Sequence, residues 1–278
     1  MVLRGVVVLV CLGLAAQTAV ADDVATPAPK PVVPELVGPW YRGPYARNRF
    51  THLAVTAGIG LYFGAGVVFN ITPTAASCRW CTPPPFDRVV RNTLVWKDTG
   101  LADTLSSWDA YVLAPLVGIT LLVIADNDAS ASRLIDDVLP VAETVGIVLV
   151  ATQWAKYGFA RERPYGYFAD AAHPIAPTAD TFSSFWSGHS VLGFAITSAS
   201  ATVCHFRGYA TEPYVWATGI ALSLSTEYLR MAADKHYLSD VVVGGLVGIG
   251  AGLLVPRLMR RGLRIVPLDH GAAVAGAF

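Results

Sequence analysis

The chain has 278 residues, 54% of them hydrophobic and only 14% charged, and its formal net charge at pH 7 is zero. Soluble domains carry about 25% charged residues, so this composition is typical of a membrane protein or of an unusually apolar helical bundle. The balanced charge argues against a polyanionic partner, and we expect no interaction with nucleic acid.

The first 21 residues have the pattern of a secretory signal. Arg4 supplies the positive charge, residues 5–14 form a short apolar run, and an A-x-A cleavage site ends at Ala21. A first membrane anchor is the alternative, but the run is short for a span of about 20 residues. We therefore predict export, followed by a Pro-rich N-terminal arm over residues 22–50.

Two cysteines, Cys78 and Cys81, form a CxxC pair in a Pro-rich loop. A single CxxC without a second pair is weak evidence for a zinc site. A local disulfide is the favoured interpretation. Cys204 lies in an apolar helical stretch, where a buried thiol is expected.

Six apolar segments follow the arm, and each is long enough for a buried helix. They cover residues 52–69, 108–125, 136–155, 189–205, 214–229 and 238–256. We predict an all-α fold, a six-helix bundle over residues 51–264 with a C-terminal tail over 265–278. Several segments approach the length of a membrane span, which favours a membrane-embedded bundle over a soluble exported one.

Acidic residues interrupt two of these segments, and in a lipid-embedded bundle they must face the interior or an aqueous end. They are Asp136, Asp137, Glu143 and Glu227. The arginines after Pro256 favour a cytoplasmic C-terminus. Six spans after a cleaved signal would leave that end outside, so the number of true spans stays open.

The first block with chemical character contains Lys156 and Arg163, seven residues apart, followed by Pro164. On a continuous helix the two cations share one face. Pro164 tends to end the helix at Arg163, which frees the guanidinium to reach a cleft. Such a pair suits an oxyanion, although by itself it is more typical of a charge cluster at the cytoplasmic edge or of a solvated helix end.

The second block is Ser187-Gly188-His189, directly before an apolar helix. Ser187 is a natural N-cap, and the free N–H groups of a helix start bind phosphate. His189 could protonate a leaving-group oxygen. Ser187 as a nucleophile is the rival interpretation, but the sequence lacks a G-x-S-x-G elbow. An ordinary capped helix is the simplest alternative.

The third block contains Arg230, His236 and Asp240. His236 and Asp240 are spaced i,i+4, so one helical face can carry both. A carboxylate that accepts the Nδ1–H of an imidazole leaves Nε2 as a directed nucleophile. Alternatively, Asp240 only stabilises the start of the last helix through the helix dipole.

The connections that carry these blocks, 156–188 and 230–237, fall at the same end of an up-and-down bundle. We therefore expect the three blocks to form one anion site, within a motif core over residues 150–245. Charge neutralisation and positioning carry most of the catalysis of phosphoryl transfer, and this site suits that reaction. No convincing set of metal ligands is present, so we expect no metal and no cofactor.

At these residues the sequence resembles the type 2 phosphatidic acid phosphatase superfamily, which includes bacterial acid phosphatases and vanadium haloperoxidases. Its signature is K-x6-R-P, then P-S-G-H, then S-R-x5-H-x3-D. Two positions depart from it, Trp186 in place of proline and Leu229 in place of serine. Nine positions match in order: Lys156, Arg163, Pro164, Ser187, Gly188, His189, Arg230, His236 and Asp240.

The resemblance implies a bundle of the acid phosphatase/haloperoxidase type and a reaction without a metal. It implies that His236 attacks phosphorus and forms a phosphohistidine, that Asp240 orients it, and that His189 protonates the leaving oxygen and later activates water. The phosphoryl oxygens would be held by the remaining matched polar positions: Lys156, Arg163, Ser187, Gly188 and Arg230.

The leading hypothesis is a phosphatase for a lipid phosphomonoester or pyrophosphate, in the inner membrane with its site facing the periplasm. A soluble periplasmic acid phosphatase for small phosphate esters is the alternative. Two further hypotheses are a vanadate-dependent haloperoxidase and a bundle that only binds anions.

Overall fold

The computed structural model describes residues 44–69, 73–125, 131–169 and 175–260, together with the backbone of two strands within 264–275. The predicted signal and most of the predicted N-terminal arm lie outside the described residues. Both assignments therefore stay predictions.

The described residues are mainly helical, as the apolar segments predicted, and the all-α assignment is confirmed. The helices are α1 (Pro44–Phe69), α2 (Pro85–Leu94), α3 (Thr99–Trp108), α4 (Ala114–Ala125), α5 (Ala131–Phe159), α6 (Pro164–Tyr167), α7 (Gly188–Arg207), α8 (Glu212–Ala232) and α9 (Leu238–Arg260). A turn of π-helix, Asp109–Leu113, joins α3 to α4, and a 3₁₀ turn, Ala179–Phe182, precedes α7.

Three features differ from the sequence-based expectation. Helix α1 begins at Pro44, within the stretch assigned to the arm. The short helices α2, α3 and α6 were not predicted as separate elements. A hairpin of β1 (Arg264–Leu268) and β2 (Gly271–Ala275) covers most of the predicted tail, with antiparallel register from Arg264↔Ala275 to Leu268↔Gly271.

Helix α7 is the central helix of the bundle. Ser187 caps its start by accepting a hydrogen bond from the Ser190 N–H, and Gly208 ends it with a positive φ of 67°. Only glycine adopts this left-handed conformation at little cost, so the helix ends there. The side chains from Ser190 to Cys204 are all buried, so α7 packs on every side.

Helices α7 and α9 run side by side in the same direction with their backbones in close contact. A Cβ at Gly244 would stand 2.7 Å from the Ser187 carbonyl oxygen, and one at Gly248 would stand 2.6 Å from the Val191 carbonyl oxygen. Side chains larger than hydrogen would force the helices apart. The Ser187 N–H also donates to the Asp240 carbonyl at 3.0 Å, so the N-termini of α7 and α9 are fixed together.

The acidic residues of α5 are paired inside the bundle or at its end. Asp136 accepts from Arg49 at 2.6 Å, Asp137 accepts from the Tyr209 hydroxyl at 2.7 Å, and Glu143 lies 2.9 Å from His52 Nδ1. Partners of this kind are what carboxylates need in an apolar environment.

Two helical stretches have the length and composition of a membrane span, Thr99–Ala125 and Leu238–Arg260. Aliphatic side chains on both are exposed, among them Leu116, Ile124 and Leu246. Soluble proteins rarely leave such side chains together in water, so these faces favour a membrane-embedded bundle.

Candidate active site

The structure brings the three sequence blocks together at one end of the bundle. Each predicted site residue lies at the end of a helix or in a connection between helices. Lys156 is in the last turn of α5, Arg163 precedes α6, Ser187, Gly188 and His189 start α7, Arg230 is in the last turn of α8, His236 lies between α8 and α9, and Asp240 is in the first turn of α9.

Arg163 is buried and its guanidinium is held on several sides. Nε donates to the Asp180 carbonyl and Nη2 to the Asp180 carboxylate, both at 2.9 Å. Nη1 donates to the Lys235 carbonyl at 3.0 Å and lies 3.4 Å from His236 Nε2. A guanidinium can only donate, so this last contact favours the tautomer in which Nε2 carries a lone pair.

His236 is almost fully buried beside Asp240. Its Nδ1 lies 3.6 Å from Asp240 Oδ2, which is a close contact but longer than a hydrogen bond. Asp240 Oδ2 instead accepts from the Ser184 hydroxyl at 2.5 Å and from the Tyr237 N–H at 2.9 Å. The predicted partner of the imidazole is thus in place, and a small ring movement would form the hydrogen bond.

Burial lowers the pKa of His236 well below its usual value, and nearby cations lower the pKa further. Arg163 contributes most, followed by Arg230, Lys156 and the ring of His189. The imidazole is therefore neutral at pH 7. A neutral imidazole with a free lone pair on Nε2 is the form that can act as a nucleophile.

The start of α7 faces Lys156. A Cβ at Gly188 would stand 3.9 Å from Lys156 Nζ and 3.6 Å from Thr152 Cγ2, so the ammonium lies beside the helix terminus. The first N–H groups of a helix have no partner within the helix. The ammonium and these N–H groups can hold the oxygens of one phosphoryl group. Ser187 is buried, and its hydroxyl accepts the Ser190 N–H as the cap of the helix.

His189 presents a second imidazole to the site. Its Nε2 is buried and makes no hydrogen bond to the described residues. Its ring packs against Tyr111, with 4.8 Å between ring centroids. A buried, unpaired ring nitrogen next to the phosphoryl position is suited to proton transfer.

Two phosphate-binding candidates are paired with carboxylates that the sequence did not single out. Arg230 is hydrogen-bonded to Asp103 and lies 3.2 Å from the Ser106 hydroxyl. Arg163 pairs with Asp180. The side chains of Asp103 and Asp180 are 39% and 55% exposed, so both lie at the mouth of the site. Burial raises the pKa of Asp180, but Arg163, Tyr165 and Ser183 outweigh this and lower it overall.

Arg161 is a further residue whose role the sequence did not reveal. It lies in the first block between Lys156 and Arg163, yet its guanidinium is hydrogen-bonded to Asp240 and to Asp87 rather than directed at the phosphoryl position. Asp87 lies in α2, far from all three blocks in sequence. The position of Arg161 inside the first block is the one feature of the sequence that could have pointed to it.

An apolar groove leads away from His189. Tyr111, in the π-helical turn, contacts His189 and also lines the groove, which runs between α4, α5 and α7 and has a volume of about 350 Å³. We call it the Tyr111 groove. Its walls include Leu122, Val141, Val145, Leu192 and Ile196. It has the dimensions and lining of a site for an apolar chain.

The predicted disulfide between Cys78 and Cys81 is present, with 5.3 Å between the Cα atoms. Its loop packs against the site: Arg79 N–H donates to the Ala160 carbonyl at 3.0 Å, and Glu162 N–H donates to the Trp80 carbonyl at 3.2 Å. The loop therefore supports the segment that carries Arg161 and Arg163.

Three comparisons relate the chain to known proteins. Its sequence is 31% identical over 121 residues to a lipid A 1-phosphatase of Porphyromonas gingivalis, an alignment that covers 44% of this chain. The chain spans only about a fifth of that relative's length, because the alignment covers 22% of it.

Two solved structures are similar. The structure of Aquifex aeolicus LpxE matches with a TM-score of 0.43 and 22% identity, over 62% of this chain and 93% of that one. A transmembrane PAP2 type phosphatidylglycerolphosphate phosphatase from Bacillus subtilis matches with a TM-score of 0.31 and 18% identity, over 62% and 92% of the two chains.

Residues 137–264 match the PAP2 superfamily, and this range contains all three blocks of the site. The nine matched signature positions lie within it and, in the structure, at one end of the bundle. Over this range, which is somewhat less than half of the chain, the sequence is similar to the PAP2 superfamily.

Proposed function

We propose that this protein is a metal-independent phosphatase that hydrolyses a phosphomonoester or pyrophosphate of a lipid through a phosphohistidine at His236. The observation that carries the proposal is the position of His236 Nε2. It is buried and lies 3.4 Å from the guanidinium of Arg163, and the pKa of its ring is lowered first by burial and then by the cationic side chains nearby, so the ring is neutral.

The first step is attack on phosphorus. The lone pair of His236 Nε2 forms the N–P bond while the bond from phosphorus to the leaving oxygen breaks. His189 gives a proton to that oxygen, and the negative phosphoryl group nearby raises the proton affinity of His189 so that it can carry this proton. Arg163, Arg230 and Lys156 neutralise the charge that develops on the phosphoryl oxygens.

The second step returns the enzyme to its starting state. His189, now neutral, takes a proton from water, and the water oxygen attacks phosphorus. The N–P bond breaks, inorganic phosphate leaves, and His236 regains its lone pair. Asp240 accepts the Nδ1–H of His236 in both steps and stabilises the positive charge of the phosphorylated ring.

The proposal of metal independence rests on the charges present. Two guanidinium groups, one ammonium and a helix N-terminus converge on the phosphoryl position, which supplies the charge neutralisation that phosphatases with metal centres obtain from divalent cations.

The Tyr111 groove supports a lipid substrate. It is lined at one end by Tyr111, whose ring contacts His189, and its walls are apolar apart from Ser200. A substrate with its phosphate in the site would place a hydrocarbon chain in this groove. The similar Porphyromonas gingivalis protein is named for a lipid phosphate, which agrees with this assignment.

We further propose that the site faces the periplasm from the inner membrane. The support is the signal-like sequence at the start of the chain and the two apolar helical stretches. Release by osmotic shock without detergent would instead identify a soluble periplasmic enzyme.

The deciding experiment measures phosphate release by the purified full-length chain from dioctanoyl phosphatidic acid, farnesyl pyrophosphate and p-nitrophenyl phosphate. His236→Ala should reduce turnover by at least about 1,000-fold, as loss of a nucleophile does. His205→Ala is the matched control, because His205 is exposed and pairs with Glu212.

Wild-type enzyme quenched during turnover of a radiolabelled lipid phosphate should carry an acid-labile, base-stable phosphoryl group, which His236→Ala lacks. Equal turnover by His236→Ala and wild type would refute the proposal. Hydrolysis of p-nitrophenyl phosphate alone would favour a phosphatase of small esters.

A further inference from the structure

Arg161 connects the active site to a part of the chain outside the family match. Its side chain is only 1% exposed, and Nη1 donates to Asp240 Oδ1 and, at 2.7 Å, to the Ser239 hydroxyl. Asp240 is the carboxylate beside His236. Arg161 therefore fixes the group that would orient the proposed nucleophile.

Asp87 of α2 holds Arg161 from the other side. It is fully buried, and its Oδ2 accepts from Arg161 Nη2 at 2.7 Å and from the Ser239 hydroxyl at 2.6 Å. Its Oδ1 accepts from the Ser239 N–H at 3.0 Å, in the first turn of α9. One carboxylate thus binds both Arg161 and the start of the helix that carries Asp240.

Two aromatic rings confine the guanidinium of Arg161 between them. The Arg161 Cζ lies 4.0 Å from the ring centroid of Trp80 and 4.4 Å from that of Tyr237. Cation–π contacts of this kind are strongest in desolvated sites. With both faces and both terminal nitrogens occupied, Arg161 cannot turn toward a substrate, so its function is distinct from that of Arg163.

The charges of this network are unequal. Asp87 and Asp240 are two buried carboxylates that share one guanidinium, which leaves a formal excess of one negative charge. That charge lies next to His236, whose Nδ1 is 3.6 Å from Asp240. A negative charge there favours a proton on Nδ1 and stabilises the cationic ring that forms when Nε2 bonds to phosphorus.

We propose that Asp87 is a positioning residue that acts on His236 through Arg161 and Asp240. The inference rests on the proposed role of His236 as the nucleophile. Asp87 lies before the family match, which begins at residue 137.

The primary test is Asp87→Asn. The amide oxygen can still accept from the Ser239 N–H, but the NH₂ group faces the donor Arg161 Nη2, so the link to Arg161 is lost while the cap on α9 is kept. Loss of a residue that orients a metal-binding histidine from behind typically lowers activity by about tenfold or more. We expect a fall of the same size in kcat on dioctanoyl phosphatidic acid, with KM unchanged.

Asp98→Asn is the matched control. Asp98 also accepts a backbone N–H at a helix start, from Leu101 at 2.9 Å, and asparagine caps equally well. Its kcat should equal that of wild type. Arg161→Lys is a second test variant, because a single ammonium does not reproduce the two separate terminal nitrogens that bind Asp240 and Asp87, and it should show the same loss of kcat.

A second measurement is independent of turnover. Nitrogen NMR of the full-length chain with ¹⁵N-labelled histidine reports which ring nitrogen of His236 carries the proton, with His236→Asn used for assignment. Wild type should show protonated Nδ1, and Asp87→Asn should shift His236 toward the other tautomer. A residue that only stabilises the fold would change the melting temperature and leave the tautomer as it is.

The outcomes separate the two proposals. If wild type releases no phosphate from any substrate, the proposed function fails, whereas the NMR spectra still decide the role of Asp87. Unchanged kcat in folded Asp87→Asn, or the same His236 tautomer in both proteins, would overturn this inference. If Asp87→Asn does not fold, Arg161→Lys decides by the same two criteria.

Discussion

The guanidinium of Arg163 lies 3.4 Å from Nε2 of His236, the nitrogen that would attack phosphorus. The same guanidinium is fixed by three hydrogen bonds to Asp180 and Lys235. A phosphoryl oxygen in front of the nucleophile would take over the Nη1–H that now points at His236 Nε2, while the other four N–H groups, one of them bound to the Ser183 hydroxyl, keep the guanidinium in place. A preorganised charge of this kind is the largest single contribution to catalysis in many enzymes.

The substitution Arg163→Lys tests whether this geometry contributes to catalysis. Lysine keeps the charge but cannot contact Asp180, Lys235 and His236 at once, so kcat should fall by about 100-fold, as for loss of one preorganised donor. Phosphate release measures the effect. Arg49→Lys is the control, since Arg49 pairs with Asp136 near the opposite end of α5 and should retain activity. Equal activity of the two variants would remove Arg163 from the site.

The Tyr111 groove predicts selectivity for chain length. Val141→Phe narrows the groove, so KM for a long-chain phosphatidic acid should rise by about tenfold, whereas kcat/KM for p-nitrophenyl phosphate should not change. Ile147→Phe places the same aromatic side chain at an exposed position of the same helix and serves as the control. A uniform loss on both substrates in Val141→Phe would mean that the groove does not hold the lipid chain.

The lowered pKa of His236 predicts how stability depends on pH. In the unfolded chain an imidazole takes up a proton below about pH 6.5, whereas buried His236 stays neutral until a much lower pH. The unfolded state therefore binds more protons than the folded state in acid. As the pH falls below 6.5, this difference lowers the free energy of unfolding by up to about 1.4 kcal/mol per pH unit.

Melting temperatures measured in detergent between about pH 7.5 and pH 5 check this prediction. Wild type should lose more stability over this interval than His236→Gln, which cannot take up the proton in either state. Parallel curves for the two proteins would show that His236 is protonated as easily in the fold as in the unfolded chain.

The proposed site predicts a response to two inhibitors of different kinds. Chelators should leave turnover unchanged, because side-chain cations neutralise the phosphoryl group. Vanadate should compete with substrate, because it mimics five-coordinate phosphorus among the same cations. Inactivation by a chelator that is reversed by a divalent ion would contradict the proposed mechanism. Peroxide-dependent bromination in the presence of vanadate would support the haloperoxidase hypothesis instead.

The sequence by itself determined the helical class and placed the three blocks at one end of the bundle. Apolar runs are local properties of a chain, and six of them correspond to helical regions in the structure. The three blocks lie in connections at one end of an up-and-down bundle, so their approach follows from chain order alone. Whether His236, His189 and Asp240 have the expected catalytic roles stays a prediction for the experiments above.

Only the tertiary structure decided which groups support these residues. Asp87 and Arg161 are 74 residues apart, and Arg161 and Asp240 are 79 apart, so no local pattern links them. The contact of Tyr111 with His189, and with it the start of the groove, depends in the same way on how α4, α5 and α7 pack. Helix periodicity fixes which residues can share a face, whereas buried charges find their partners through the packing of distant helices, because an unpaired charge in that interior would cost too much free energy.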